Sequence, residues 1–284
     1  MIARESTRVG FIGLGNLGRP MAEALLASGW RLTVADRAPG RAEECAALGA
    51  LPASGDADLA ACDVLALAVP DDAAVEAILT PLLPALPDGA LVLVHSTVLP
   101  QTARALAARA AEHGVGLLDA PVSGGAERAA RGDLSVMVGG AAEDLDRARP
   151  VLETVGSDVR HVGPPGAGAA VKLANQLMMF AALAGAHEAL DLAAAHGVGA
   201  EDVLGAVSGG TGDSWVARHW GFFDDVADAY DAGGTPVSER PWSKDLWEVT
   251  AAARAAGVAL PLTGLLAQTM ADRVERHARS ARRR

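Results

Sequence analysis

The first 165 residues alternate short, continuously apolar runs with longer Ala- and Leu-rich runs of helical character. A strand that is apolar at every position is buried on both faces, and strands separated by helices form a parallel sheet covered on both sides. The pattern predicts seven strands, at residues 8–12, 32–35, 64–68, 91–94, 116–118, 134–138 and 158–162. The fold class is therefore α/β, with a doubly wound, mostly parallel sheet.

The pattern changes after the Gly- and Pro-rich segment 163–168. Residues 169–196 contain no proline and are almost entirely Ala, Leu, Met and Val. They predict one helix of about 28 residues, roughly 40 Å long at 1.5 Å per residue. The rest of the chain is predicted helical, with irregular stretches at 208–214 and 231–241. We therefore divide the chain into a sheet domain, residues 1–165, and an all-helical domain, residues 166–284, entered through the long helix.

A glycine motif joins the first predicted strand to the first helix. Gly13, Gly15 and Gly18 form G-x-G-x-x-G, with Asn16 and Leu17 inside it. In this context the first glycine allows a tight turn, the second allows close approach of a pyrophosphate, and the third lets the helix pack on the sheet. The helix N-terminus then faces the phosphates. The motif predicts a Rossmann dinucleotide-binding turn in residues 1–165.

The end of the second strand bears on the choice of dinucleotide. Asp36 lies eighteen residues after Gly18 and could accept hydrogen bonds from the adenosine ribose hydroxyls, which favours NAD. Arg37 beside it could instead pair with the 2′-phosphate of NADP. The cofactor is therefore predicted to be NAD or NADP, with NAD favoured.

Two further pairs of residues follow predicted strands. Val69 and Pro70 follow the third strand, and Ser96 and Thr97 follow the fourth. Ligands of open α/β sheets bind at the carboxyl ends of strands, so these four residues are candidate cofactor contacts. Ordinary turn residues would have the same spacing, and that alternative stays open.

The segment 119–125 follows another predicted strand. Ser123, Gly124 and Gly125 could form a concavity of backbone N–H groups that binds an anion, with the serine hydroxyl as an additional donor. Asp119 is expected to cap the turn. A flexible surface loop is the alternative on this signal alone.

The long helix carries three polar residues near its start. Lys172, Asn175 and Gln176 share one helix face because they are spaced at i, i+3 and i+4. The surrounding apolar residues predict burial, and burial disfavours the charged form of a lysine. Lys172 is thus a candidate general acid/base. A lysine that extends along the first turn toward water is the alternative.

Composition excludes several classes of function. The net charge of −11 argues against nucleic-acid binding, and two cysteines are too few for a disulfide framework or a thiolate metal site. The seven histidines show no metal-ligand spacing, so no metal is expected. The N-terminus lacks a signal-peptide pattern, and the apolar run 177–186 is shorter than the roughly 20 residues that span a bilayer. We expect a cytoplasmic protein without a membrane partner.

Four segments together resemble the β-hydroxyacid dehydrogenase family. They are residues 10–22, which contain the glycine motif, residues 119–125 (DAPVSGG), residues 166–176 (GAGAAVKLANQ) and the shorter Lys-Asp-Leu at 244–246. The resemblance covers nearly the whole chain, in order and at the expected spacing. It implies a Rossmann domain, a helical domain, and a homodimer or homotetramer formed through the long helix.

The resemblance also implies an activity and residue roles. The activity is hydride transfer between NAD(P) and a small 3-hydroxy acid or its semialdehyde, of the 3-hydroxyisobutyrate or tartronate semialdehyde type. The implied roles are carboxylate binding by Ser123, Gly124 and Gly125, general acid/base catalysis by Lys172, substrate positioning by Asn175 and Gln176, closure over the cofactor by Lys244, and a place near the substrate for Asp245.

Alternatives and departures from the family pattern remain. An NADPH-dependent imine reductase is one alternative, although Lys172 and the intact 119–125 motif argue against it. A non-catalytic dinucleotide-binding regulatory protein is the other. Where the family commonly has phenylalanine, eight residues before Asp245, this chain has Val237. Trp242 could fill the vacated space or pack at a helix start, so the substrate is less defined than the reaction.

Overall fold

Nine strands and thirteen α-helices are present in the computed structural model, which describes residues 4–282. The strands are β1 Arg8–Ile12, β2 Arg31–Ala35, β3 Leu51–Pro52, β4 Val64–Leu67, β5 Leu91–Val94, β6 Gly116–Asp119, β7 Val122–Ser123, β8 Ser135–Gly139 and β9 Asp158–Gly163. The helices are α1 Gly18–Ala27, α2 Arg41–Ala46, α3 Asp56–Ala60, α4 Asp72–Leu82, α5 Pro100–Ala111, α6 Gly125–Ala130, α7 Ala142–Val155, α8 Ala167–Ala195, α9 Ala200–Val207, α10 Trp215–Arg218, α11 Phe222–Ala232, α12 Pro241–Ala256 and α13 Pro261–Ala281.

The strands form a single sheet in the order β3-β2-β1-β4-β5-β6-β8-β7, with β9 paired to β8. The pairs from β3 to β6 are all parallel, whereas β8 runs antiparallel to β6 and β7. This confirms the predicted doubly wound, mostly parallel sheet. The order reverses between β1 and β4, so their carboxyl ends open a crevice of the kind that holds ligands in this fold.

The central strands are continuously apolar because both faces of the sheet are covered. Along β4, Val64 and Ala66 belong to one buried cluster, and Leu65 and Leu67 belong to another. Successive side chains of a strand point to opposite faces, so the two clusters lie on the two sides of the sheet. All four residues are fully buried.

Two strands, β3 and β7, were not predicted because each has only two residues. β3 extends the parallel sheet beyond β2, and β7 pairs with β8 through Val122↔Val136 and Ser123↔Ser135. A two-residue strand is too short to show a periodic pattern. Ser123 therefore belongs to a paired strand, directly before Gly124 and Gly125.

The chain forms two compact units, of which the first ends at Lys172 and the second begins at Leu173. The boundary falls inside α8, a little beyond the residue 165/166 division drawn from the sequence. In the second unit, α11 to α13 and the second part of α8 surround a core that includes Phe180, Trp242, Leu246 and Met270.

Helix α8 is long and apolar enough to cross a membrane by length and composition. The helix extends well beyond the apolar run 177–186 on both sides. A core helix of a globular protein meets the same criterion. Only 17% of its apolar window is buried within the chain, so much of this helix faces outward.

Each unit contains one buried histidine. Burial lowers the pKa of His95 to about 4, although its Nδ1 contacts the Ala120 carbonyl oxygen at 2.8 Å. Burial, together with the positive charges of His277 and Arg273, lowers the pKa of His187 to about 4 as well. Both rings are therefore neutral in the folded protein at neutral pH.

We expect the stability to fall as the pH drops from about 6.5, the pKa of an unfolded histidine, to about 4. The folded state resists protonation, so protons bind preferentially to the unfolded chain over this window. Each histidine should remove about 2 kcal/mol from the free energy of unfolding between pH 7.5 and 5. Urea unfolding at both pH values should show His95→Asn to be less pH-sensitive than the wild type. His113→Gln, at an exposed position, is the control, and an unchanged slope in His95→Asn would contradict the assignment.

Candidate active site

The glycine motif forms the turn between β1 and α1. Gly13 has φ +96°, and a side chain there would overlap the Ala68 carbonyl group. A side chain at Gly18 would overlap the carbonyl oxygen of Gly13. At Gly15 the nearest atom to an added Cβ is 4.0 Å away, on Arg41. The protein's own packing therefore requires Gly13 and Gly18, whereas the open space at Gly15 suits a ligand.

The first turn of α1 is also suited to an anion. Within the described chain, its N-terminus at Leu17 receives no side-chain cap, and its first turn carries no acidic residue. The helix dipole therefore favours a phosphate at this end. Asn16 is exposed beside it. This geometry fits the pyrophosphate of a dinucleotide.

Asp36 stands at the carboxyl end of β2, close to the glycine turn. Its carboxylate accepts the N–H of Leu14 at 2.6 Å and that of Ala38 at 2.7 Å. The cation beside it is Arg41, 3.4 Å away, while Arg37 is exposed. Arg41 was not predicted from the sequence to lie beside Asp36. The feature that could have indicated it is its position five residues after Asp36, at the start of a helix.

The predicted contacts after β4 and β5 lie side by side. β4 and β5 pair in parallel, with Leu67 opposite Val94. The N–H of Val69 donates to Ser96 Oγ at 2.8 Å, so the two strand ends are hydrogen-bonded to each other. Pro70 is exposed and Thr97 is half-buried next to them. The structure therefore brings these residues together at the same edge as the glycine turn.

Lys172 contacts Val122, the residue that precedes the 123–125 turn, although the two are fifty residues apart. The Lys172 side chain is buried, and its Nζ donates to the Val122 carbonyl oxygen at 2.9 Å. Ser123 follows directly, and Gly124 and Gly125 have φ +142° and +77°. Two consecutive residues in the left-handed region require glycine. The lysine is held in place and does not extend toward water.

Asp119 does not have the role expected from the sequence. Its carboxylate accepts N–H groups at the start of α8, from Gly166 and Ala169, so it caps that helix. Nothing in the local sequence shows this partner, because the contact spans about fifty residues.

The second unit contains a connected polar network. Asn175 Nδ2 donates to Gln176 Oε1 at 3.0 Å, and Gln176 Nε2 donates to Asp245 Oδ2 at 2.5 Å. Lys244 Nζ lies 3.0 Å from Asp245 and 2.8 Å from Glu248. The structure thus joins four predicted residues of this unit and adds Glu248. Its i+4 spacing from Lys244 was the sequence signal.

The network keeps Lys244 charged. Burial opposes the charged form, but the carboxylates of Asp245 and Glu248 outweigh it and raise the pKa of Lys244 above its ordinary value. Lys244 is therefore a cation at neutral pH and unsuited to proton transfer.

Trp242 is a core residue. It is fully buried, its ring contacts Phe223 and Tyr230, and its Nε1 donates to Glu275 Oε1 at 3.0 Å. Val237 is 41% exposed, in the short 3-10 turn Val237–Glu239. Of the two possibilities left by the sequence, packing at the helix start is the one observed.

The sequence matches two family profiles that together cover nearly all of the chain. The profile for the NAD binding domain of 6-phosphogluconate dehydrogenase matches residues 8–163. The profile for the NAD-binding domain of NADP-dependent 3-hydroxyisobutyrate dehydrogenase matches residues 166–282.

Within residues 4–282, no group of three or more His, Cys, Asp or Glu side chains is arranged to hold a metal ion.

Similar proteins agree with these profiles. The NAD-dependent L-serine dehydrogenase of Pseudomonas aeruginosa is 35% identical over 91% of this chain and 89% of its own length. The 3-hydroxyisobutyrate dehydrogenase of the same organism is 36% identical over 93% and 91%. A solved structure of Mycobacterium tuberculosis 3-hydroxyisobutyrate dehydrogenase with L-serine superposes with a TM-score of 0.82, at 33% identity over 96% and 95% of the two chains.

The glycine turn, the sheet topology and these relatives define an NAD(P)-dependent oxidoreductase that acts on the CH–OH group of hydroxy acids. The chain belongs to the β-hydroxyacid dehydrogenase family, as its sequence motifs predicted. The roles of individual residues stay predictions.

Proposed function

We propose that the protein interconverts a small 3-hydroxy acid and its semialdehyde, with Lys172 as the general acid/base. The observation that carries the proposal is the buried Lys172 Nζ, held 2.9 Å from the Val122 carbonyl oxygen beside the 123–125 turn. L-serine and 3-hydroxyisobutyrate, named in two relatives, both have a hydroxyl group on the carbon β to a carboxylate. One ligand that presents both groups suits this arrangement.

In this mechanism Ser123, Gly124 and Gly125 bind the substrate carboxylate. Neutral Lys172 takes the hydroxyl proton during oxidation, and its ammonium form returns a proton to the carbonyl oxygen during reduction. Bound NAD(P) supplies the hydride acceptor or donor. The protein's contribution is positioning and proton transfer, which lower the barrier without a covalent intermediate.

Other predicted residues have binding roles. Gly13, Gly15, Gly18, Val69, Pro70, Ser96 and Thr97 are proposed to line the dinucleotide site. In the second unit, Asn175 and Gln176 are proposed to position the substrate, with Asp245 near it, and the cation Lys244 is proposed to hold the cofactor. A cytoplasmic location is part of the proposal.

Composition gives independent support for the two lysines. The chain has 22 arginines and only two lysines, Lys172 and Lys244. Arginine is effectively always charged, whereas a lysine can lose its proton in a suitable environment. Lys172 therefore occupies a position that arginine could not fill if the side chain transfers protons.

Lys172→Ala should lower kcat by about 10²- to 10⁴-fold, because the proton acceptor is lost. Lys172→Arg should lose activity similarly, since arginine keeps the cation but cannot release its proton. Dinucleotide affinity should stay near the wild-type value in both variants. Absorbance of the reduced nicotinamide measures turnover, and calorimetry measures binding. Near-normal kcat in Lys172→Arg would contradict acid/base catalysis by this residue.

The same assay identifies the substrate class. The compounds assayed are L-serine, 3-hydroxyisobutyrate and tartronate semialdehyde. The methyl ester of 3-hydroxyisobutyrate, which lacks a carboxylate, is the control. We expect turnover of the acids and poor turnover of the ester. Turnover of cyclic imines alone would favour an imine reductase. Dinucleotide binding without any turnover would favour a regulatory protein.

We propose that NAD is preferred over NADP. The Asp36 carboxylate would repel a 2′-phosphate, and Arg41, which could attract one, is paired with Asp36. Asp36→Asn removes the charge but keeps one acceptor oxygen for the turn. It should shift the ratio of kcat/KM for NADP over NAD upward by about tenfold or more, which corresponds to 1.4 kcal/mol. Adding Arg41→Ala should reverse that gain, whereas Arg37→Ala should not. A wild-type preference for NADP would overturn the proposal.

We propose that the protein is a homodimer or homotetramer in which a second copy covers α8. Met178 and Leu192 are 73% and 64% exposed and lie fourteen residues apart, on the same helix face. Exposed apolar patches of this kind mark interaction surfaces. Sedimentation should give two or four times the mass of one chain, and Met178→Glu should lower it. A wild-type monomer, or one that associates with lipid vesicles, would contradict the proposal.

A further inference from the structure

Asp119 connects the sheet to the helix that carries Lys172. It is the last residue of β6 and is fully buried. One carboxylate oxygen accepts the N–H of Gly166 and the other accepts the N–H of Ala169, both at 2.8 Å. These groups belong to the start of α8, where a helix has no internal acceptors for its N–H groups. The cap comes from a residue nearly fifty positions earlier in the chain.

Glycines make this contact possible by removing side chains from it. A Cβ at Gly139, on β8, would lie 2.6 Å from Asp119 Oδ1 and 2.7 Å from the Gly168 nitrogen. A Cβ at Gly168, in the first turn of α8, would overlap the carbonyl oxygens of Asp119 and Met137. The first turn of α8 therefore packs directly on the backbone of β6 and β8, and it cannot shift without breaking these contacts.

Lys172 lies one helical turn beyond Gly168, so the position of its Cα follows from this contact. Its Nζ donates to the carbonyl oxygen of Val122, which lies three residues after Asp119. Asp119 is thus connected both to the helix that carries Lys172 and to the segment that contains Val122. It anchors the backbone that carries the lysine, and it begins the segment that receives the ammonium group and leads into the 123–125 turn.

The cap is electrostatic as well as geometric. Burial raises the pKa of Asp119, and the N–H groups of Gly166 and Ala169 oppose that rise by stabilising the carboxylate. Hydrogen bonds to an ionised acceptor are about twice as strong as neutral ones, and a helix N-terminus favours negative charge. The start of α8 is the main compensation for burying this carboxylate.

We propose that Asp119 is a positioning residue for Lys172: by capping α8 it fixes the distance between the ammonium group and the 123–125 turn. The proposal rests on the proposed function, in which Lys172 transfers the proton. Asp119 does not contact the substrate in this role, and it acts through the helix that it holds.

The first test is Asp119→Asn, which preserves the shape of the side chain. The amide offers one acceptor oxygen, and its NH₂ group faces one of the two backbone N–H groups. Hydrogen exchange should become faster at Gly166 and Ala169. We expect kcat to fall by about 10²-fold, because a misplacement of roughly 1 Å costs that much, with dinucleotide affinity unchanged.

Lysine NMR gives a readout that does not depend on activity. Lysine labelled with ¹³C at Cε should give two side-chain signals, from Lys172 and Lys244. In Asp119→Asn the Lys172 signal should shift, and the pH at which it titrates should change. The Lys244 signal serves as the internal reference. Unfolding of the variant would move both signals toward random-coil values.

A second variant covers the case in which Asp119→Asn does not fold. Gly168→Ala leaves the carboxylate intact but forces the first turn of α8 away from β6 and β8. It should lower kcat and shift the Lys172 signal in the same way. Gly205→Ala is the matched control, because this helical glycine in α9 has open space around an added Cβ. It should leave kcat and both lysine signals unchanged.

The outcomes separate the two proposals. Wild-type kcat and an unshifted Lys172 signal in Asp119→Asn, or in Gly168→Ala if that is the variant that folds, would overturn the positioning role. Near-normal kcat in Lys172→Arg would instead overturn the proposed function. Loss of kcat in Lys172→Arg, together with a shifted Lys172 signal and reduced kcat in Asp119→Asn, supports both.

Discussion

A buried carboxylate bound by the backbone of a helix N-terminus joins the two chemically important segments of this protein. Asp119 ends β6, and its two oxygens receive N–H groups from the start of α8. The direct packing of Gly168 on the sheet leaves the helix no freedom to slide. In the proposed mechanism, the position of Lys172 beside the Val122 carbonyl group and its distance from the 123–125 turn both depend on this contact.

The same edge of the sheet concentrates the other ligand-binding features of the first unit. β1, β2, β4 and β5 run parallel, so the glycine turn, Asp36 and Ser96 all follow the carboxyl ends of neighbouring strands. Hydrogen bonds join these ends, from Leu14 to Asp36 and from Val69 to Ser96. The binding elements are therefore held by a rigid sheet, which reduces the entropy lost when a ligand binds.

The two lysines of the chain lie in different environments. Carboxylates surround Lys244 and keep it charged. Lys172 is buried, and its Nζ donates to the Val122 carbonyl oxygen. The chain has 22 arginines and only these two lysines. Arginine could replace the charge of Lys244 but, in the proposed mechanism, not the exchangeable proton of Lys172.

The sequence by itself determined that the chain begins with a mostly parallel sheet, that a long helix follows it, and which family the chain belongs to. These features depend on local periodicity and on motifs of a few adjacent residues, which persist whatever the surroundings. Tertiary structure alone decided the long-range partners of the buried residues. It placed Trp242 in the core and gave the Asp119 carboxylate to α8. Such contacts connect residues far apart in the chain, and no local pattern encodes them, because packing and the need to satisfy buried polar groups select the partner only once the fold has formed.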